Sequence, residues 1–415
     1  MLRKLLLGVA AAAIGLTMID VGAASAKDKI TLLTWNLPVY GDKIKGWIED
    51  FHKKHPDIDV EWIDKKGTDW ATFYQTQLAA GTPPDVIDVQ GALWAQYAAD
   101  GDMLDLTPYL KKDPDFANRF TPGALDLWQS DGKTWMVPWY FTRTLLYLNK
   151  RMMRAAGIAK APTTFDELMA DAKKMSGEGK SGFLTTNFDW LYWPLFKMNG
   201  VDILDKDMSK AAFNTPAAQK TLTALADATK SGAINNISWT GRWVEPNTAF
   251  ASGNVGMYMS LSSALFWAAS KAGWIDDKNV EVVNAPGGWW VPSQHGWGVS
   301  KASKHPDAAV DLIKIATSDK WQTTMASTFS ILTLNKDVDK KLIANIKSED
   351  PLKSKVLDLD QPDMSTITGY LKSAKEGRVK EAFWGAIQPA LLGQTDPKAA
   401  LDSAEALVNR ALSRP

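Results

Sequence analysis

Ile30-Thr-Leu-Leu-Thr-Trp35 is a short apolar run of the kind that forms a buried strand. Apolar residues with the spacing of one helix face follow over residues 44–51, and an alternating strand pattern occupies residues 58–62. A second helical pattern, residues 70–80, leads to a third strand, Asp85-Val-Ile-Asp-Val89. Strands and helices that alternate at this short spacing predict a mostly parallel sheet covered by helices.

The same alternation resumes after Pro138. Residues 145–148 are a predicted strand, and Thr164 and Glu167 have the spacing of a capping box at the start of a helix. The chain from Asp337 onward is mainly helical in its spacing. With 415 residues and no fixed-period repeat, the chain exceeds the ~250–300 residues at which a single hydrophobic core stops growing. We therefore predict two α/β lobes without a flexible tether between them.

The composition excludes several classes of protein. Lys plus Arg and Asp plus Glu are both 47, so the positive excess that nucleic-acid binding requires is absent. Cysteine is absent and only four His occur, which argues against zinc sites, iron–sulfur clusters and thiol nucleophiles. We therefore predict no metal, no cofactor and no nucleic-acid partner. The extreme feature is Trp, with 19 copies.

The N-terminus has the pattern of an export signal. Arg3 and Lys4 precede an apolar run over residues 5–19, and Ala24-Ser25-Ala26 supplies a small-residue cleavage site. The run is shorter than the roughly 20 residues of a spanning helix. Residues 1–26 are therefore predicted to be a signal peptide that sends the chain to the periplasm.

Catalytic motifs are incomplete in this sequence. Gly177-Glu-Gly179-Lys180-Ser181 resembles the end of a phosphate loop, but position 174 is Lys where that loop requires Gly. No Gly-x-Ser-x-Gly elbow occurs. Glycoside hydrolysis uses a pair of carboxylates that the fold brings together in space, so the sequence alone does not exclude such a pair. The candidates by elimination are Asp85, Asp88, Asp189 and Glu245.

Aromatic and polar residues lie where predicted strands end. Trp35 and Asn36 end the first strand, Gln90 follows the third, and Trp139 and Tyr140 follow a short one. Ligands of open α/β sheets bind beyond the carboxyl ends of the strands. A Trp face suits the C–H face of a sugar ring, and amide groups pair with its hydroxyls. These residues predict a sugar-binding cleft.

The other tryptophans divide by their neighbours. Trp47 and Trp62 are in phase with apolar patterns, and we predict that they are core residues. Trp289, Trp290 and Trp297 lie among Gly, Pro and His, which favours a binding role.

Several segments together resemble a known family. Leu78-Ala-Ala-Gly-Thr-Pro-Pro-Asp-Val86 is one such segment, and Asp131-Gly-Lys-Thr-Trp-Met-Val-Pro138 is another. Their order and spacing resemble those of the family 1 extracellular solute-binding proteins, the sugar-binding subunits of ABC importers. The remaining matching segments are residues 101–108, 146–150, 156–157, 162–168 and 250–257.

This resemblance implies the two-lobed type II periplasmic binding protein fold, with a ligand cleft between the lobes and three hinge crossovers. By that analogy the crossovers fall near residues 141–143, 280–285 and 331–334. The implied N-terminal lobe is residues 27–141 and 281–331, and the C-terminal lobe is residues 142–280 and 332–415.

The resemblance also implies particular site residues. The family's C-terminal stacking pair appears as Phe383-Trp384, so Trp384 inherits a sugar-stacking role. The family's acidic ligand group matches Asp189, next to Asn187. The chain departs from the family after Met257, where Ser260-Leu-Ser-Ser263 replaces a Gly-x-Trp turn. Ser262 of that loop, Tyr40, Trp94 and Arg143 complete the predicted ligand-binding set.

An anionic ligand group is one open alternative. Arg143 lies beside the first predicted crossover and Arg242 lies in Trp239-Thr-Gly-Arg-Trp243. A guanidinium could bind a sulfonate, phosphate or uronate in bidentate fashion. The simpler alternative is that each Arg pairs with a carboxylate of the protein itself.

The sequence therefore predicts a monomeric periplasmic protein, not an enzyme, that captures a mono- or oligosaccharide by lobe closure. The predicted partners are the carbohydrate and the membrane permease of an ABC transporter. Two alternatives remain open: a secreted glycoside-active enzyme that uses the same cleft, and a non-catalytic protein that binds polysaccharide.

Overall fold

The structure is a computed structural model that describes residues 27–35, 41–241 and 243–414. The predicted signal peptide lies outside these ranges, as do Asn36, Tyr40 and Arg242. Within the described ranges, no helix is both long enough and apolar enough to cross a bilayer.

Strands and helices alternate through the described chain. The strands are β1 (Asp28–Trp35), β2 (Ile58–Lys65), β3 (Val86–Gln90), β4 (Gln129–Ser130), β5 (Lys133–Thr134), β6 (Met136–Asn149), β7 (Ser181–Leu184), β8 (Val255–Leu261), β9 (Val280–Val283) and β10 (Pro292–Val299). The helices are α1 (Gly41–Lys54), α2 (Gly67–Ala79), α3 (Leu93–Ala99), α4 (Thr107–Lys112), α5 (Pro114–Asn118), α6 (Lys150–Ala155), α7 (Phe165–Lys174), α8 (Trp193–Lys197), α9 (Pro216–Lys230), α10 (Ile237–Thr240), α11 (Val244–Ala251), α12 (Ser262–Ala269), α13 (Pro306–Ala316), α14 (Asp319–Phe329), α15 (Lys336–Ile346), α16 (Pro351–Leu359), α17 (Glu376–Leu391) and α18 (Pro397–Ser413).

The first sheet has the strand order β2-β1-β3-β10-β6. β1 pairs in parallel with β2 and β3, as the alternating pattern predicts. β10 is antiparallel to both of its neighbours, β3 and β6. The expectation of a mostly parallel sheet is therefore wrong for the β3-β10-β6 part of this sheet. β10 is antiparallel because the chain enters it on returning from the other lobe, and not through a strand–helix–strand unit.

β6 joins the two lobes as one continuous strand. Its first half, residues 136–143, pairs with β10. Its second half pairs with β8 from Thr144 and with β9 from Leu146, and β8 pairs with β7. Because one 14-residue strand belongs to both sheets, the first crossover lies at Arg143 and Thr144, next to the predicted position.

The chain crosses between the two sheets twice more, after β9 and near residue 332. β9 pairs with residues 146–149 of β6, so the predicted lobe limit between residues 280 and 281 falls inside a strand of the second sheet. The chain passes between the sheets over residues 284–291. At the third crossover, the Phe141 N–H donates to the Leu332 carbonyl at 2.8 Å and the Thr121 N–H donates to the Leu334 carbonyl at 2.7 Å. Residues 332–334 thus contact the first lobe.

Separate apolar cores lie on the two sides of the crossovers. Trp47 of α1 is fully buried in the first, with its ring edge-on to Trp139 and Trp297, as its position in the apolar pattern predicts. Trp62 on the outer strand β2 is partly buried and donates its indole N–H to Thr34 at 2.8 Å. α17 and α18 pack beside α9 in the second lobe. The first turn of α17 reaches the space between the lobes.

Candidate functional site

A cleft between the lobes contains two connected cavities. One has a volume of ≈ 750 Å³ and the other ≈ 500 Å³. Trp35, Gln90, Phe188 and Ser293 line both cavities. Trp35 and Gln90 end strands of the first sheet, and Phe188 lies in a 3-10 turn of the second lobe. Both lobes therefore contribute to one continuous binding space.

The smaller cavity, which we call the aromatic chamber, is walled mainly by rings. These rings are half-buried, so each has a face or edge in the core and the rest open to the chamber. Their C–H and π surfaces suit an apolar ligand face. They belong to Trp35, Tyr140, Phe188, Trp243, Phe266, Trp267 and Phe329.

A ring contact and a backbone hydrogen bond hold Trp35 in place. Its ring contacts Trp70 at a centroid distance of 5.5 Å, and its backbone N–H donates to Asp88 at 3.3 Å. Asp88 is fully buried and also bonds His295, which lines the aromatic chamber. Burial raises the pKa of Asp88, and the hydrogen bonds to His295 and to the Trp35 N–H oppose that rise.

The larger cavity, the charged chamber, contains an ion cluster from the second lobe. Lys380 of α17 lies 2.6 Å from Asp189 and 3.9 Å from Glu376. Burial raises the pKa of the Glu376 carboxyl to about 8, although Lys380 lowers it. Burial of the Lys380 ammonium favours its neutral form, but the carboxylates of Asp189 and Glu376 raise its pKa above the usual value.

Asp189 reaches this cluster through an uncommon backbone conformation. Its φ is +45° and that of Trp190 is +64°, both in the left-handed region that non-glycine residues rarely adopt. Such strain persists where surrounding contacts fix the chain, and here the Lys380 ion pair and the buried Trp190 ring supply them.

Four predicted ligand residues lie on the cavity walls. They are Trp35, Gln90, Tyr140 and Asp189. The sequence pattern predicted that Tyr140 follows a strand, but in the structure it lies inside β6.

Four predicted binding tryptophans are instead core residues. Trp139 and Trp297 contact each other at a centroid distance of 4.6 Å with their rings tilted by 41°, and both are fully buried in the first core. Trp94 is buried and donates to the Tyr370 hydroxyl at 3.1 Å. Trp290 is buried and donates to the Asp363 carbonyl at 2.9 Å. Each indole is enclosed by protein, so the expectation that these rings meet a ligand is wrong in this structure.

Arg143 is also placed away from the cleft. Its guanidinium donates to Asn284 and lies over the Trp290 ring at 5.2 Å, while its backbone N–H donates to Asp360 at 3.0 Å. The side chain is buried at the crossover and lines neither chamber. The structure thus favours the simpler alternative, that Arg143 pairs within the protein, although its side-chain partner is an amide and not a carboxylate and its Nε has no hydrogen-bond partner among the described residues.

Two more predicted residues neighbour the cavities without lining them. Ser262 is buried and donates to Asp360 at 2.8 Å, whereas the next residue, Ser263, lines the aromatic chamber. Asn187 donates to the Trp239 carbonyl at 3.0 Å, whereas Phe188 lines both chambers. In both places, the residue that lines the cavity is the one directly after the predicted residue.

Two half-buried tryptophans pack outside the cavities. Trp289 lies under the Lys197 ammonium at 5.0 Å. Trp384 contacts the rings of Tyr192 at 4.9 Å and Trp239 at 6.5 Å. Trp384 thus lies among packing residues, beside the wall formed by Lys380 and Glu381 of the same helix.

The carboxylate candidates for hydrolysis are dispersed. Asp85 accepts the Thr31 N–H at 2.8 Å and the Ser303 hydroxyl at 2.6 Å, so it holds a strand to a loop. Glu245 is exposed in the first turn of α11. Of the four candidates, Asp189 lines a chamber, and it is ion-paired with Lys380.

Sequence reasoning missed most of the aromatic chamber. Phe266 and Trp267 lie on α12, which starts directly after β8, and Trp243 precedes α11. An aromatic pair on a helix that follows a strand was the available signal. His295 was counted among the four His but was not considered for the cleft.

A sequence profile described as bacterial extracellular solute-binding protein matches residues 34–323. The chain belongs to this family. The diacetylchitobiose binding protein DasA of Streptomyces coelicolor is 23% identical over 66% of this chain and 66% of its own length, just under two thirds. A probable ABC transporter-binding protein of Deinococcus radiodurans is 25% identical over 97% of this chain and 99% of its own length.

Solved structures of solute-binding proteins share the fold. The maltose-bound MalE3 of T. maritima has a TM-score of 0.75 and 26% identity, covering 91% of this chain and 98% of its own. The two-lobed type II periplasmic binding protein fold is thus the fold of this solute-binding protein, as predicted.

Proposed function

We propose that this solute-binding protein captures an oligosaccharide in the cleft between its lobes and delivers it to the permease of an ABC transporter. The single observation that carries this proposal is the aromatic chamber, in which half-buried rings from both lobes surround a cavity of ≈ 500 Å³. Rings of this kind stack on the C–H faces of sugars and gain affinity without competing with water for hydrogen bonds.

The size of the cleft favours more than one sugar ring. Pockets for drug-sized ligands measure roughly 300–1,000 Å³, and the two chambers have ≈ 750 and ≈ 500 Å³. We propose that one ring stacks in the aromatic chamber and that the next extends toward the Asp189–Lys380 pair. The diacetylchitobiose in the name of DasA and the maltose bound to MalE3 are disaccharides, which supports this length.

The cellular setting follows from the family and the N-terminus. We propose that residues 1–26 are removed on export, that the mature protein works in the periplasm as a monomer, and that closure on the sugar creates the form that docks on the permease. The division into lobes at the crossovers, near residues 143, 284–291 and 332–334, belongs to the same proposal. We propose binding without catalysis.

A thermal-shift panel tests the proposal. Maltose, N,N′-diacetylchitobiose, glucose and galactose are added to the mature protein, and binders are confirmed by calorimetric titration. Binding to the folded state alone raises the melting temperature in proportion to the logarithm of ligand concentration. At least one disaccharide should bind more tightly than either monosaccharide. Absence of binding by both disaccharides would contradict the proposal, and product formation over hours would indicate the glycoside-active alternative.

A further inference from the structure

His295 joins the first sheet to the aromatic chamber at an irregular point in β10. It is opposite Gln90 on β3 and Tyr140 on β6, and the register shifts between His295 and Gly296. A bulge of this kind re-aims the adjacent side chain and is common beside functional sites. A Cβ at position 296 would lie 2.9 Å from the Val137 carbonyl oxygen and 3.0 Å from the Trp128 ring, so this close approach requires Gly296.

Two neighbours determine the orientation of the imidazole. The ring of Tyr140 stacks on it at a centroid distance of 4.3 Å and an angle of 19°. Nδ1 lies 2.8 Å from Oδ1 of Asp88. The rings of Trp35 and Trp139 also lie against it, at centroid distances of 6.1 and 6.4 Å and steep angles. The remaining surface of this buried ring borders the chamber, which His295 lines.

The bonding of Asp88 determines which nitrogen carries the proton. Its Oδ2 accepts the Trp35 N–H at 3.3 Å while its Oδ1 faces Nδ1 of His295. An ionised carboxylate can only accept hydrogen bonds, so opposite an ionised Asp88 the proton lies on Nδ1, and a ring with no second proton presents Nε2 as an acceptor. Within the described chain, the hydrogen bond of the His295 side chain is the one made by Nδ1.

We propose that His295 is a specificity-determining residue of the cleft, whose Nε2 accepts a hydrogen bond from a ligand hydroxyl, and that Asp88 is the positioning residue that sets this tautomer. The proposal rests on the proposed sugar-binding function and adds a polar contact to a wall of rings. When a sugar stacks on Trp35, His295 would bind a hydroxyl at the edge of the sugar ring. The protein would then favour sugars that carry a hydroxyl at that ring position.

A matched set of variants tests the role of Nε2. The amide of Asn reaches only the position of Nδ1, so His295→Asn keeps a donor to Asp88 and removes the acceptor from the chamber. The longer Gln amide reaches the position of Nε2. The control is His55→Gln, because His55 forms a similar pair with Asp311 at 3.0 Å on the outer surface of the first lobe.

The affinity for maltose or N,N′-diacetylchitobiose, whichever binds more tightly in the panel above, is measured by calorimetric titration. His295→Asn should weaken binding by roughly tenfold, the effect of one lost hydrogen bond. His295→Gln should weaken it less, and His55→Gln should not change it. Equal affinities for the Asn variant and the wild type would overturn the proposal.

Nitrogen-15 NMR of the imidazoles tests the tautomer without any sugar. The wild type should show His295 protonated at Nδ1 and bare at Nε2. In Asp88→Asn the amide oxygen is retained by the Trp35 N–H, so the amide N–H₂ meets Nδ1 and the proton should move to Nε2. A wild-type ring protonated at Nε2, whether alone or together with Nδ1, would overturn the proposal even if no panel sugar binds, which separates its failure from that of sugar binding.

Discussion

At the scale of single residues, neighbouring aromatic side chains in one strand have different roles. Trp139 and Tyr140 are adjacent in β6, and successive side chains of a strand point to opposite faces. Trp139 enters the core against Trp297, whereas Tyr140 faces the aromatic chamber and stacks on His295. Residue type alone therefore does not identify a ligand contact; the face of the strand does.

The same distinction predicts opposite effects for two tryptophans. Trp35→Ala removes a chamber wall, and removal of a buried aromatic anchor typically costs ~2 kcal/mol, or roughly 30-fold in affinity. Trp384→Ala removes a ring packed on Tyr192 and Trp239. Full burial would make that loss ~3–5 kcal/mol of stability, and half-burial should make it smaller. Affinity should be nearly unchanged.

Calorimetric titration with a panel sugar and urea unfolding of both variants separate these effects. The Trp384 variant is the control for the Trp35 variant, since both delete one half-buried indole. A large loss of affinity in Trp384→Ala, with the protein folded by circular dichroism, would restore the stacking role that the family resemblance implies.

At the scale of elements, the crossovers contain buried carboxyls. Asp339 of α15 accepts the N–H and hydroxyl of Thr333, at 2.9 and 2.8 Å, in the third crossover. Asp360 accepts the Arg143 N–H and the Ser262 hydroxyl, and so ties the first crossover to the loop after α16. Burial raises the pKa of each carboxyl to about 7, against the effect of these hydrogen bonds.

These shifts predict a pH-dependent stability. Between about pH 4 and pH 7 the folded state holds a proton on Asp339 that the unfolded state releases, so the free energy of unfolding falls as the pH rises. Asp339→Asn removes this contribution. Relative to the wild type, the variant should gain about 1.4 kcal/mol per pH unit across that window and no more above it.

Urea unfolding at pH 4.5, 6, 7 and 8.5 measures the difference. Asp360→Asn should follow the same trend, since its pKa is raised in the same direction. A difference between Asp339→Asn and the wild type that stays constant with pH would contradict burial of a protonated acid at this crossover.

Local patterns predicted the elements better than their pairing. The strand at residues 30–35 and the helix face at residues 44–51 lie within β1 and α1. The cap at Thr164 is also present, with its hydroxyl accepting the Glu167 N–H at 3.1 Å. The antiparallel direction of β10 was not predicted, because it depends on the chain's return from the other lobe. The ring pair of α12 was missed for a similar reason, since a helix face becomes a chamber wall only through tertiary packing.

At the scale of the whole molecule, two lobes are joined by three chain crossings and share one cleft. Each lobe is built around its own buried apolar clusters, so the lobes should move as rigid bodies about the crossovers. A ligand that contacts Trp35 in one lobe and Phe188 in the other gains contacts as the lobes approach. It therefore favours the closed arrangement by that extra contact energy.

The expected consequence is that saturation with the cognate sugar lowers the radius of gyration in solution scattering. Trp35→Ala serves as the control, because at equal sugar concentration it should bind less and shift the average less. The absence of native cysteine permits a second measurement, in which one introduced pair, Lys111→Cys in the first lobe and Lys398→Cys in the second, carries fluorescent labels. Energy transfer between the labels should change on addition of sugar, together with the fall in the radius of gyration. Demonstrated binding with both quantities unchanged would mean that the cleft accepts its ligand without moving the lobes.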